Sequence, residues 1–422
     1  MRNYNSYKDS GVKWIGEIPT HWETTPFSHF FQIRKDIAGK EGYDVLSVTQ
    51  TGIKVKDIEH NEGQIASDYS KYQFADPGDF IMNHMDLITG YIGRAECHGV
   101  TSPDYRVFRA FNENAYEDYY LLIFQLCYKW RVFFGLGQGV ANKGRWRLPA
   151  NQLKKFQIPV PPYLEQKTIA SFLNKKIAEI DEQVSKLGRE IELLKEYKQA
   201  EIARVVLHGL NPDAPTKSSG ISWIGDIPAH WNFLRNKNIF VPHYEAVGDR
   251  KDIPLLSLTT EGVILRDVES GKGKFPKDFE KYNVVYPNNI IFCLFDIDET
   301  PRTVGLCHNY GMITNAYSTF EITDMVLPRF INYYYLVVDN IKGLRPYYTG
   351  LRKVVQSNKF MQLKVPVPSI EEQQQIVDYI DFKTTQIDRL VVELTYQVEY
   401  LKEYKLKLIA DVVTGKINVQ NN

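Results

Sequence analysis

A chain of 422 residues is too long for one ordinary hydrophobic core and is expected to form two or more domains. Basic and acidic residues balance at 51 each, and a hydrophobic content of 43% describes a globular chain able to bury a core. Apolar runs stay far below the roughly 18–20 residues that span a bilayer, the polar start Met1–Ser10 reads as no signal peptide, and the four irregularly spaced cysteines (Cys97, Cys127, Cys293, Cys307) read as reduced thiols in a cytoplasm.

In chain order, the first feature is W-I-G-E-I-P-T-H-W from Trp14 to Trp22. Its Gly and Pro mark turns, its tryptophans read as packing anchors, and His21 between them reads as structural. Short apolar segments follow at Val45–Thr49 and, after the turn Asp76-Pro-Gly-Asp79, at Phe80–Asn83; these predict strands. A helical, aromatic segment is predicted from Glu117 to Phe134. A basic loop then leads to I-P-V-P-P-Y-L-E-Q at Ile158–Gln166 and a long helical pattern.

The chain then repeats itself. W-I-G-D-I-P-A-H-W runs from Trp223 to Trp231, with His230 matching His21; V-L-S-V-T at Val45 returns as L-L-S-L-T at Leu255. Gly93 and Tyr105 return as Gly305 and Tyr317. A second strand is predicted at Ile290–Phe295 and a second helix at Arg329–Leu344, before V-P-V-P-S-I-E-E-Q at Val365–Gln373. A period this long is a duplication of a whole domain, not a solenoid.

Both long helical patterns carry apolar residues alternately four and three apart, the seam of a coiled coil. In the first they are Leu173, Ile177, Ile180, Val184, Leu187, Ile191 and Leu194; in the second Ile380, Ile387, Val391, Leu394, Val398 and Leu401, with Thr384 at one seam position and Leu408 beyond. Lys198 and Lys405 fall at matching seam positions and suggest that packing loosens there. Helices of about 40 residues are on the order of 60 Å long. Equal length and register favour antiparallel pairing within one chain and an approximate internal two-fold axis; exchange between chains stays open. The expected fold is α+β: two tandem pseudo-repeated domains, at residues 1–163 and 209–370, separated by long spacer helices at 164–208 and 371–416, pseudo-two-fold symmetric.

A net charge of zero counts against a nucleic-acid binder, but the distribution counts for one. No acidic residue lies between Tyr119 and Leu164, nor between Asn340 and Ile370, and both stretches are rich in Lys and Arg. A local cationic surface suits phosphate, because each contact releases condensed counterions. Counting back from the P-V-P motifs sets Arg145 opposite Arg352. Around them lie Gln138, Asn142, Lys143, Trp146 and Arg147 in the first copy, and Arg345, Tyr347, Tyr348, Lys353, Gln356 and Asn358 in the second. Arg, Asn and Gln read base edges in the major groove. The flanking residues differ while the frame agrees, the pattern of two readers tuned to different sequences. A structural salt bridge is the competing reading for the two arginines, and Tyr347, Tyr348 and Lys353 are expected to leave Arg352 little acidic company.

Other motifs point to no active site. Cys97-His98 and Cys307-His308 are out of register between the copies and lack a C-x-x-C partner. The acidic run Asp296-Ile-Asp298-Glu299 faces only Met85-Asp86-Leu87 in the first copy. Neither a P-loop nor a G-x-G-x-x-G after a strand occurs.

In combination, the twin W-I-G-[ED]-I-P-x-H-W starts, N-P-D-A-P at Asn211–Pro215, the segments ending at Tyr105 and Tyr317, and the P-V-P-x-x-x-E-Q motifs before two long helices resemble the specificity subunits of type I restriction-modification systems over essentially the whole chain. The resemblance implies two target recognition domains, each reading half of a split, asymmetric DNA site. It implies recognition loops near Gln138–Arg147 and Tyr347–Asn358, and paired helices that space the domains and dock two methyltransferase subunits. S-adenosylmethionine would sit in those partners, none in this chain, and restriction motor subunits would complete the complex; the first loop is bulkier and more basic than the family's usual one. Two other readings stand beside it: a chain with its own methyltransferase or nuclease activity, and a coiled-coil scaffold whose adaptor domains bind proteins.

Overall fold

The computed structural model describes residues 3–57, 68–139, 146–266 and 279–420. They form two compact units, residues 1–187 with 396–422, and residues 188–395. The division falls inside the two long helices, not at their ends, so each helix contributes one half to each unit.

The first unit is built on a four-stranded antiparallel sheet of β1 (Phe31–Arg34), β2 (Phe80–Met82), β3 (Ile92–Arg94) and β4 (Arg106–Ala110), in the order β1-β4-β2-β3. The second repeats it with β5 (Phe240–Pro242), β6 (Ile290–Phe292), β7 (Val304–Leu306) and β8 (Ser318–Ile322), in the order β5-β8-β6-β7. The predicted strands at Phe80 and Ile290 sit at corresponding places, and Leu46–Thr49 and Leu256–Thr259 each form a small hairpin. Gly93 and Gly305 lie where those hairpins cross the sheet. A Cβ on Gly93 would stand 2.8 Å from Cγ1 of Ile53, and one on Gly305 2.7 Å from Cδ1 of Leu258, so only glycine admits the approach.

An aromatic core covers one face of each sheet. In the first unit Phe27, Phe31, Phe80, Phe108 and Phe124 pack edge-on and stacked, with centroids 5.0–5.8 Å apart. Phe240, Phe292, Phe320, Tyr335 and Phe360 do the same in the second. Helix α1 (Glu117–Lys129) supplies Phe124, and its counterpart in the second unit supplies Tyr335. The helix predicted to Phe134 breaks at Arg131, whose φ of 56° is left-handed, and resumes only as a single turn at Val132–Gly135. The second helix also ends early, at Asn340, before the left-handed Lys342. Trp22 and Trp231 are completely buried, as anchors should be.

The long helices are α2 (Tyr163–His208) and α4 (Ile370–Val413), with α3 (Pro328–Asn340) before the second. Every predicted seam residue is buried or half-buried, whereas most residues between them are exposed. In the second unit the helices run antiparallel, since Lys198 reaches Asp388 while Glu201, further along α2, accepts from the Tyr379 hydroxyl, earlier on α4. In the first unit Lys405 reaches Asp181. At the two lysine positions the helices are joined by a cross-helix ion pair. α2 and α4 end before Gly209 (φ 75°) and Gly415 (φ 78°), left-handed residues that close the last turn and lie against Trp231 and Trp22 respectively.

Candidate nucleic-acid interface

The P-V-P-x-x-x-E-Q motif fixes each globular domain to its long helix. The P-V-P segments are strands: Gln157–Val160 pairs with Glu23–Pro26, and Lys364–Val367 with Asn232–Arg235. Gln166 is fully buried; its Oε1 accepts from Tyr116 N at 2.8 Å, and its Nε2 donates to the carbonyls of Asn114 and Pro161. Gln373 does the same with Leu327 N at 2.7 Å and the carbonyls of Met325 and Pro368. One side chain thus satisfies the backbone at the start of the core helix and at the start of the long helix.

The preceding glutamate takes the motif histidine. His21 Nε2 lies 2.9 Å from Glu165, and His230 Nε2 lies 2.8 Å from Glu372. The second carboxylate oxygen is used differently, by the Tyr4 hydroxyl on Glu165 and by the Trp231 indole on Glu372. The structural reading of the histidines holds, and their partner was legible only as a Glu-Gln pair recurring at a fixed offset.

In the second unit the basic segment before the P-V-P strand is a short hairpin, Tyr348–Thr349 with Val354–Val355. Its turn holds Gly350, at φ 78°, and Leu351, 103% exposed, so the tip stands clear of the domain. Its base is tied to the sheet by Val355 N to Leu294 O and Asp296 N to Arg352 O, at 2.9 and 2.8 Å. The Arg352 guanidinium lies 5.1 Å from the Phe295 ring centroid.

The expectation of few acidic partners around Arg352 does not survive. Arg352 Nη2 lies 2.9 Å from Asp296. Asp298 accepts from Arg345 Nε at 2.9 Å and from the Tyr348 hydroxyl at 3.0 Å, and pairs with Lys353 Nζ at 3.2 Å. Glu299 takes Lys353 at 2.7 Å. The Arg345 hydrogen bond, with Tyr348 and Lys353 beside it, holds the Asp298 carboxyl down at about 2. Lys342 and Arg302 both pair with the buried carboxylate of Asp339. A stretch free of acids in sequence is not free of them in space, because the loop after β6 folds against it. The signal lay in Asp296, Asp298 and Glu299, an acidic run without a counterpart in the first copy.

The remaining residues of that segment divide. Tyr347 is half-buried against the core. Gln356 precedes the short helix Ser357–Gln362 and is exposed; Asn358 is exposed too and bonds only locally, to Lys359 N.

In the first unit the ends of the loop meet as a bridge, with Gln138 and Arg147 exchanging both backbone hydrogen bonds at 2.8 and 3.0 Å. Trp146 donates its indole N–H to Phe134 O at 2.7 Å and packs on the Phe134 ring, half-buried at the base of the loop. Arg147 is exposed. Asn142, Lys143 and Arg145 lie outside the described residues. Below the loop, the buried Arg106 donates to Leu148 O at 2.9 Å. His84, with an unpartnered buried Nδ1, is pushed down to about 4 by burial, then by Arg106 and Arg147.

Among the described residues no group of three His, Cys, Asp or Glu is placed to hold a metal, and no helix is long and apolar enough to cross a membrane.

The chain is similar to known proteins in sequence and in fold. Residues 22–192 match the family described as type I restriction modification DNA specificity domain. A Methanocaldococcus jannaschii chain assigned as the MjaX type I restriction enzyme specificity subunit is 24% identical, over 98% of each chain. The MjaVIII specificity subunit of the same organism is 22% identical over 64% of each. Among solved structures, a chain from work on assembly and conformational transition of the type I R-M system superposes with a TM-score of 0.68 at 12% identity, covering 95% of this chain and 99% of that one. The HsdS subunit of Thermoanaerobacter tengcongensis gives 0.54 at 15% identity, with 95% and 98% covered.

Proposed function

We propose that this chain is a non-catalytic specificity subunit of a type I restriction-modification system, and that each unit reads one half of an interrupted, asymmetric DNA site. The observation that carries the reading is the pair of loops themselves. Both leave the domain at the same place, between the core helix and the P-V-P strand, and they are chemically unlike. One is closed by the Gln138–Arg147 bridge on Trp146; the other is a hairpin bearing Arg345, Arg352 and Lys353. Gln138, Arg147, Gln356 and Asn358, with the undescribed Asn142, Lys143 and Arg145, complete the two reading sets.

The long helices act as spacer and as platform. Their seam supports a fixed gap between half-sites. Tyr396, Tyr400 and Tyr404 form an exposed stripe along α4, one turn apart, suited to a partner's apolar surface. The partners are two methyltransferase subunits, which carry S-adenosylmethionine and methylate adenine, joined by motor subunits in the restriction form, in the cytoplasm. The test is binding of the purified chain to random and selected duplexes over a salt series. The reading expects a linear fall of log affinity with log salt and a preferred sequence with two separated constant blocks. Salt-independent binding, or one continuous block, would overturn it.

A further inference from the structure

We infer that the acidic loop Asp296–Glu299 is a specificity-determining counterweight to the recognition hairpin of the second unit: it occupies the hairpin's cations when no DNA is bound and yields them at lowest cost to the correct half-site. The inference rests on the proposed reading of that hairpin as DNA-contacting.

Four side chains of the hairpin segment, Arg345, Tyr348, Arg352 and Lys353, all reach back to three carboxylates on one loop. None of these pairs is deeply buried, and Arg352 keeps 71% of its side chain exposed. Exposed pairs hold weakly, little enough for a phosphate or a base edge to displace them. They also impose geometry. Asp298 binds Arg345 Nε, the Tyr348 hydroxyl and Lys353 Nζ together, so it joins both sides of the hairpin to one point. A random duplex must break these pairs and leaves the freed carboxylates beside its phosphates, whereas the cognate half-site offers them amino donors at base edges, such as cytosine N4.

Among the described residues the device occurs in the second unit alone. At the same offset after β2, the first unit has Asp86, Ile88 and Thr89, and the Asp86 carboxylate is spent on the Ile88 and Thr89 backbone at 2.9 and 3.0 Å. Discrimination at the two half-sites should therefore respond differently to the loss of these acids.

The experiment uses the full chain with Glu299→Gln, Asp298→Asn and the double variant. Binding is measured to a random-sequence duplex and to the duplex selected by the unaltered protein, over a salt series. Expected for the random duplex is affinity raised about 2–5-fold per carboxylate removed and a salt slope steeper by about one per cation released. Affinity for the selected duplex should rise less, and reselection should relax the second block only. Glu299→Gln touches one exposed pair and keeps the test valid if Asp298→Asn does not fold. Random-duplex affinity and slope unchanged in Glu299→Gln, or both blocks relaxed together, would overturn the inference. Arg352→Ala separates the two levels: if it too leaves DNA binding unchanged, the reading of the hairpin fails, whereas an effect there with none from the acids defeats the counterweight alone.

Discussion

Lys198 of the first long helix donates to Asp388 of the second at 2.7 Å, and one repeat further along the chain Lys405 donates to Asp181. The two pairs are the same pair, met once in each unit. A lysine at a seam position costs packing, and its aliphatic stem can lie along the seam while the ammonium reaches out. The recurrence of the acid at the matching place on the opposite helix shows that antiparallel register is written into the charges as well as into the apolar seam.

The seam, not the ion pair, should carry the stability. Ile387 is 5% exposed, and Ile387→Ala should cost about 2–4 kcal/mol. Asp388, with 59% of its side chain exposed, should cost under about 1 kcal/mol as Asp388→Asn. Urea titration of each variant checks the ranking, and equal losses would refute it. Proline at Leu187, inside α2, should cost about 3 kcal/mol or more.

Gln373→Ala should destabilise the second unit by about 2 kcal/mol or more. It strips hydrogen bonds from Leu327 N and from the carbonyls of Met325 and Pro368 at once. Gln373→Glu should be little better, because a carboxylate cannot donate to those carbonyls. Thermal unfolding with hydrogen exchange at Leu327 reads both, and unchanged protection there would remove the clamp's role.

His84 makes stability depend on pH. Its imidazole titrates at about 4 in the folded chain, below its ordinary value of 6.5, so between those values the unfolded chain binds the extra proton. The stability held by the neutral ring is fully present above about pH 6.5 and is lost as the pH falls towards 4. The urea midpoint of the unaltered protein should fall from pH 7 to pH 5, and less steeply in His84→Gln. Parallel slopes would exclude His84 as the cause.

Arg352→Ala should leave the urea midpoint of the free protein nearly unchanged, since its pair with Asp296 is exposed. On DNA it should cost roughly 1–3 kcal/mol and relax one position if it reads a base. If it holds a phosphate instead, it should weaken all sequences alike and reduce the salt slope by about one. A variant that melts early but binds normally once folded would make Arg352 structural.

Much of this was legible in the sequence because repetition exposes it. The duplicated tryptophans, the seam and the P-V-P strands each appear twice, and a residue type needed twice at one offset has a structural reason. Gly93 and Gly305 illustrate it, each reserving room for a crossing hairpin. What local pattern could not reveal was pairing across distance. The acids after β6 lie some fifty residues before the hairpin they hold, and only the closed sheet brings them together. The helix breaks at Arg131 and Lys342 escaped for a related reason: left-handed backbone at a basic residue has no sequence signature of its own.

The most direct test is exchange of one reader. Residues 1–162 are replaced by the equivalent part of a relative, the chain is assembled with the methyltransferase subunits proposed as its partners, and methylated adenines are mapped on genomic DNA. Two independent readers on one spacer predict that one half-site changes, while the other half-site and the gap stay as they were. A change in both halves, or in neither, would contradict the account.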